Sequence, residues 1–272
     1  MPIPQGTEVY TADAPPVVAR GYTYSQAELE TARAERIQAI LHDEPGQASL
    51  ADLYNSLELT EFGSQNVAEA LEMPAEEEHS RGWREGEALA EAWLSDHRHC
   101  EFPWPFNRDL RHHRASLPGA ELVGFAGDAD SDARFAFGQV KTSKESKIPP
   151  QVVTNGDKSL INQLLQLRDD KQIKKSVVNY LAYRSQFSAP WNGKFRVAAS
   201  KYLNSGTMDV LIFGVLVRDV DPVPGDLAAA AVKLSNGCHP STQIEFCGLY
   251  LPKDSIPQGP QHGPRQLRRP GA

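Results

Sequence analysis

Between residues 24 and 42 (YSQAELETARAERIQAILH) the apolar positions Leu29, Ala32, Ile37, Ile40 and Leu41 fall at helical spacing, which predicts an amphipathic helix. Asp52–Phe62 and Asn66–Met73 repeat the period in shorter form, until Pro74 and the run Glu76, Glu77, Glu78 break it. Residues 1–20 hold four prolines and no period, and read as an extended arm. Residues 1–79 are therefore expected to form a small acidic helical segment. From Gly82 the character changes. Glu85–Leu94 (EGEALAEAWL) predicts a strong helix with Leu89, Trp93 and Leu94 on its apolar side. Residues 101–116 read as loop with one short strand.

Two strand patterns follow, Ala120–Phe125 (AELVGF) and Arg134–Thr142 (RFAFGQVKT), joined by the turn-rich GDADSDA. Lys158–Arg184 predicts helix with a break near Asp169–Asp170, and Phe195–Ala199 reads as a strand. Asp209–Val217 (DVLIFGVLV) is an almost continuous apolar run, the mark of a strand buried on both faces. An alanine-rich helix at Asp226–Leu234 and a last strand at Gln243–Leu251 complete the series. The order helix, hairpin, helix, strand, helix, strand predicts an α/β domain over residues 80–255, with a mixed sheet flanked by helices. The tail, residues 256–272, is rich in Pro, Gly, Gln and Arg and is expected to be disordered.

Composition narrows the class. With 272 residues, 40% of them hydrophobic, the chain is long enough to bury a core without staples, in one or two domains. No stretch reaches the ~20 consecutive apolar residues of a membrane span. The start MPIPQGTEVY has neither the basic residues nor the apolar core of a secretory signal. Three separated cysteines, Cys100, Cys238 and Cys247, fit a reducing cytoplasm better than a disulfide framework.

The net charge of −7 is unevenly spread. Residues 1–133 carry 9 basic residues, all Arg, against 25 acidic ones; residues 134–201 carry 13 against 4. Lys141 is the first lysine in the chain. Clustered Lys and Arg are what phosphate contact requires, so the middle segment is a candidate polyanion surface. A plain solvated basic helix is the competing explanation. The acidic segment is a candidate partner site, or a cover for the basic face.

The hairpin holds the informative residues. Side chains alternate along a strand, so Phe135, Phe137, Gln139 and Lys141 share a face, with Glu121 on the preceding strand. A carboxylate facing an amide oxygen and an ammonium can supply oxygen ligands for Mg²⁺ and a cation beside the attacking water. Gly86–Glu87 on the earlier helix offers a further carboxylate, with Glu91 four residues on along the same helix face. The alternative is a cross-strand salt bridge on a solvated hairpin.

GAELVGF, then 13 residues, then QVK, behind a helix containing GE, resembles the PD-(D/E)xK nuclease superfamily. The usual pattern there is a helix Glu, a Gly-x-Asp strand and a Glu-x-Lys strand. Glu121 stands in place of Asp, and Gln139 in place of Glu; the Gln-x-Lys form is normal for Mrr-like nucleases. The layout from GE through QVKTS to LIFGVLVRDV and LYLP is also similar to HamA-type effectors of the Hachiman anti-phage system, nuclease subunits that work beside a helicase. The resemblance spans about residues 80–252.

It implies a cytoplasmic, Mg²⁺- or Mn²⁺-dependent DNA endonuclease. Glu121, Gln139, the Val140 carbonyl and Glu87 would hold the metal, and Lys141 would orient the attacking water and offset phosphate charge. Ser143, Lys144 and Lys147 would grip flanking phosphates, with Lys171, Lys174, Lys175 and Arg184 as the wider nucleic-acid footprint. An inactive nucleic-acid-binding or adaptor subunit of the same fold is the alternative, because glutamine removes a ligand charge. A structural interaction protein comes third.

Other clusters point to no chemistry. His97, His99, Cys100, Cys238 and His239 lack paired zinc spacing. His112 and His113 lie among Arg108, Arg111 and Arg114, where a solvated loop is favoured over phosphate contact. Asp128, Asp130 and Asp132 lack the Gly and final Glu of a calcium loop. There is no P-loop, dinucleotide glycine fingerprint or G-x-S-x-G, which excludes those ATPase, dehydrogenase and hydrolase classes.

Overall fold

The structure is a computed structural model that describes residues 1–58, 60, 61, 67, 71, 81–104, 119–186 and 190–256. Several expectations fall largely or wholly outside those residues: the helix at Asn66–Met73, the break at Pro74–Glu78, the boundary at residue 79, most of the loop at 101–116 and the tail.

Seven strands form one mixed sheet in the order β1 (Thr7–Thr11), β2 (Val17–Thr23), β7 (Gln243–Tyr250), β6 (Val210–Arg218), β5 (Arg134–Ser143), β4 (Leu122–Ala126), β3 (Cys100–Glu101). β3, β4 and β5 are joined antiparallel, while β5, β6, β7 and β2 run parallel to one another. The parallel strands are buried on both faces, which is why β6 reads as an unbroken apolar run.

Strand alternation sends two cores to opposite faces. Phe135, Phe137, Ile212 and Phe246 point to one, covered by α5 (Gln151–Thr154), α6 (Leu160–Asp169), α7 (Lys171–Ser185), α8 (Asn192–Asn204) and α9 (Ala228–Ser235). Ala136, Val140, Val215 and Cys247 point to the other, covered by α1 (Gln26–Ala32) and α4 (Arg81–His97). Between those two helices the chain runs through a π-type turn (Arg33–Ile37), α2 (Gln38–His42) and α3 (Glu44–Asn55). Ser25 and Glu28 cap α1 reciprocally, and Asp170 ends α6 by accepting from Gln172 and Ile173 to start α7, at the predicted break.

Two readings are corrected. Residues 1–20 are not an extended arm, since β1 and most of β2 lie there and β2 pairs in parallel with β7. The segment expected to be a small helical unit with an extended arm thus supplies two strands of the main sheet. The pattern was obscured because Pro15 and Pro16 abut β2. Phe195–Ala199 is helix within α8, because Trp191, Phe195, Ala198 and Tyr202 share a face toward the core at helical spacing. Within the described part of the acidic segment, Arg33 pairs with Glu85 and Arg36 with Asp96.

Candidate active site

β4 stops pairing with β5 at Leu122 opposite Gly138, while β5 continues to Ser143 along β6 alone. The edge of β5 from Gln139 onward is therefore free of strand on the β4 side. Glu121 enters that space. Its backbone N–H donates to the Gly138 carbonyl at 3.0 Å. Its carboxylate accepts from the Val140 N–H at 2.5 Å and from Lys141 Nζ at 2.8 Å. In a strand the N–H and C=O of one residue point the same way, so the Val140 carbonyl faces the same free edge.

Gln139 lies on the same face as Lys141 and is only 1% exposed. Its Nε2 donates to the Gly119 carbonyl at 2.5 Å, while its Oε1 is buried without a hydrogen-bond partner. An unmet buried acceptor costs about 1–3 kcal/mol, so its retention calls for a cause. A salt bridge on a solvated hairpin would account for the Glu121–Lys141 pair. It does not account for a buried glutamine, nor for Phe135 and Phe137, both fully buried on that face.

Glu87 reaches the same neighbourhood from α4. Burial pushes its carboxyl up to about 8, the charge of Glu121 adds to the rise, and Arg84 and Lys141 oppose it. Glu91 lies one turn further along α4: burial pushes its carboxyl up to about 7, with the Arg36 charge opposing the rise and Asp43, on the segment that follows α1, adding to it.

The close fit of α4 against β5 depends on Gly86. A methyl group there would meet Thr142 Oγ1 at 2.2 Å. Gly86→Ala is expected to lower stability by about 1–2 kcal/mol, overpacking outweighing the better helix propensity of alanine. Thr142→Ala in the same chain should recover most of the loss. Urea denaturation of the two single variants and the double variant checks this, and purely additive effects would contradict the contact.

The remaining predicted residues divide. Ser143 is buried, and its hydroxyl accepts from the Glu145 N–H at 3.2 Å, so it caps the loop after β5. Lys144 donates to the Ile256 carbonyl at 2.6 Å and lies 3.7 Å from Asp219. Lys147, Lys171 and Lys175 are exposed. Lys174 is withdrawn from the footprint: it is 0% exposed, its Nζ donates to the Arg168 carbonyl at 2.9 Å, and burial pushes its pKa down. Arg184 lies over the rings of Trp104, 4.3 Å from the centroid, and Tyr180, at 5.4 Å.

Two contributors were not singled out from the sequence. Gly119, at φ 102°, turns its carbonyl onto Gln139; a glycine two residues before the acidic residue was its only sign. Arg218 holds the loop after β5 through the carbonyls of Glu145 and Lys147.

The donor set suits a hard cation: the Glu121 carboxylate, the unpartnered Gln139 Oε1 and the Val140 carbonyl are all oxygens. Among the described residues no group of three or more His, Cys, Asp or Glu is placed to hold a metal, so the histidine–cysteine clusters do not assemble into one. His97 contacts the Ile3 carbonyl, His99 pairs with Asp128, and Cys238 donates to carbonyls in its own turn. No helix among the described residues is long and apolar enough to cross a membrane.

No family model matches the chain, and no curated protein matches it.

Proposed function

We propose that the chain is a Mg²⁺- or Mn²⁺-dependent DNA endonuclease of PD-(D/E)xK type, working in anti-phage defence beside a helicase. The observation that carries the catalytic part of this reading is the buried, unpartnered Oε1 of Gln139, two residues along β5 from the Lys141 that holds the Glu121 carboxylate. The defence setting and the helicase rest on the sequence resemblance. Glu121, Gln139 and the Val140 carbonyl would hold the cation, with Glu87 completing the set. Held by these residues, a divalent cation would supply a lowered pKa for an attacking water and charge to offset that of the phosphoryl group.

The chain's own residues do the rest. Lys141, held by Glu121 on the open edge of β5, is placed to turn toward a scissile phosphate and stabilise the charge that builds in the transition state. Glu87 keeps a proton at neutral pH until an incoming positive charge displaces it. The buried Phe135 and Phe137 fix the strand that carries Gln139 and Lys141.

The test is cleavage of supercoiled, linear and single-stranded DNA with Mg²⁺ or Mn²⁺. Glu121→Ala and Lys141→Ala should each lower the rate by roughly 10²-fold or more. Wild-type rates in either variant would overturn the assignment. A second reading has its own support, since protein donors already engage both Glu121 oxygens. In that reading the chain is an inactive nucleic-acid-binding adaptor. It would bind DNA in a salt-dependent way that Lys141→Ala leaves unchanged, and would cut nothing with any divalent metal.

A further inference from the structure

We propose that the outer face of α7 is a binding surface for single-stranded nucleic acid, with Lys171 and Lys175 on phosphates and Tyr183 stacked on a base. This deepens the nucleic-acid reading above by naming the strand form, and its test needs no cleavage.

Helical spacing puts Lys171, Lys175, Asn179 and Tyr183 in one row, each a turn further along, and all four are exposed. The row spans about 18 Å at ~1.5 Å per residue. Its inner counterpart is fixed: Val177 and Leu181 are buried in the core, and Val177 packs against Gly119, two residues before Glu121. The row therefore lies on the back of a helix whose other side touches the candidate site. α7 carries three lysines and an arginine and no acidic residue. Neither exposed lysine has an ion-pair partner among the described residues.

The aromatic end of the row decides the strand form. Tyr183 is 66% exposed, high for a tyrosine, and makes no ring contact among the described residues. Beside it Arg184 is held over Trp104 and Tyr180, which sets a guanidinium on an aromatic platform. A duplex keeps its base faces inside the stack, where an exposed ring has nothing to meet. A single strand offers base faces and phosphates together, and stacking on aromatic side chains is how such strands are bound without sequence reading.

The experiment is fluorescence anisotropy in EDTA with the full chain, using a labelled oligothymidylate and a duplex of equal length. The oligothymidylate should bind more tightly than the duplex. Tyr183→Ala should weaken it by about 5- to 100-fold, while Tyr183→Phe, which keeps the ring, stays near wild type. Replacing Lys171 and Lys175 together by alanine should reduce the salt slope by about 1.4. Binding that is absent, that favours duplex, or that is indifferent to Tyr183→Ala overturns the proposal, and a protein-facing surface would give the first of these. Cleavage in Mg²⁺ is read separately. Tyr183-dependent binding without cutting would sink the nuclease reading alone, and cutting with Tyr183-independent binding would sink this one alone.

Discussion

Replacing Arg218 with methionine is expected to destabilise the protein by about 3–5 kcal/mol, enough to leave a marginally stable domain largely unfolded. Arg218 ends β6 at 0% exposure. Its Nη1 donates to both oxygens of Asp226, at 2.6 and 2.5 Å, and its Nη2 donates to the carbonyls of Glu145 and Lys147. Asp226 also accepts from the Tyr250 hydroxyl at 2.8 Å, which in turn shares a 2.8 Å hydrogen bond with Tyr10 on β1. Methionine fills the space but strands a buried carboxylate and two carbonyls.

The pair itself need not be worth that much, because desolvation offsets most of its Coulomb energy. Arg218→Met combined with Asp226→Leu should therefore recover about half of the single-variant loss, leaving the deficit of the two orphaned carbonyls. Urea denaturation of the full chain measures both. A single-variant loss below about 1 kcal/mol would mean that water reaches Asp226 and that the network is not the closed one described. The loop that Arg218 clamps leaves β5 directly after Lys141, Thr142 and Ser143, so its loosening should also blur the candidate site.

The hairpin of the candidate site was legible in the sequence because its information is local. Alternation alone puts Phe135, Phe137, Gln139 and Lys141 on one face, and the structure keeps them there beside Glu121. The helix around Glu87 and the break at Asp170 were legible for the same reason. β2 was not: beside its local pairing with β1 it joins the sheet through β7, more than two hundred residues away, and no local pattern carries that second pairing. The α8 segment FRVAA was misread because five residues of a helix face look like a short apolar strand, and only Trp191 and Tyr202 beyond its ends give the longer period. Charge counting could not separate Lys174 from its neighbours, because one step around a helix decides whether a lysine meets solvent or the Arg168 carbonyl. Glu87 and Glu91 share a helix face in sequence. Only the fold shows that their surroundings differ, with the Glu121 charge weighing on Glu87 and those of Arg36 and Asp43 on Glu91.

That separation makes Glu87 the most informative single position. Its carboxyl is held at about 8 in the folded chain against an ordinary 4.5, so the folded state binds this proton more tightly than the unfolded one. The stability it supports is complete below the ordinary value, is lost as pH rises through about 8, and changes no further above that. A shift of that size in a fully dry site is worth ~5 kcal/mol; Glu87 keeps some solvent contact, so about 3 kcal/mol is the expected scale. Glu87→Gln, which cannot ionise, should match wild type near pH 4 and exceed it by about that amount at pH 9 in EDTA. Glu91→Gln should show a smaller gain of the same sign, because its carboxyl rises only to about 7. Mg²⁺ then tells the two apart. If Glu87 helps to hold a cation, Mg²⁺ at pH 9 should stabilise wild type and Glu91→Gln but much less Glu87→Gln, by the linkage between binding and folding. Equal Mg²⁺ responses in all three chains would remove Glu87 from the ligand set. A wild-type stability that stays level between pH 5 and 9 would show that the carboxyl is not buried as described.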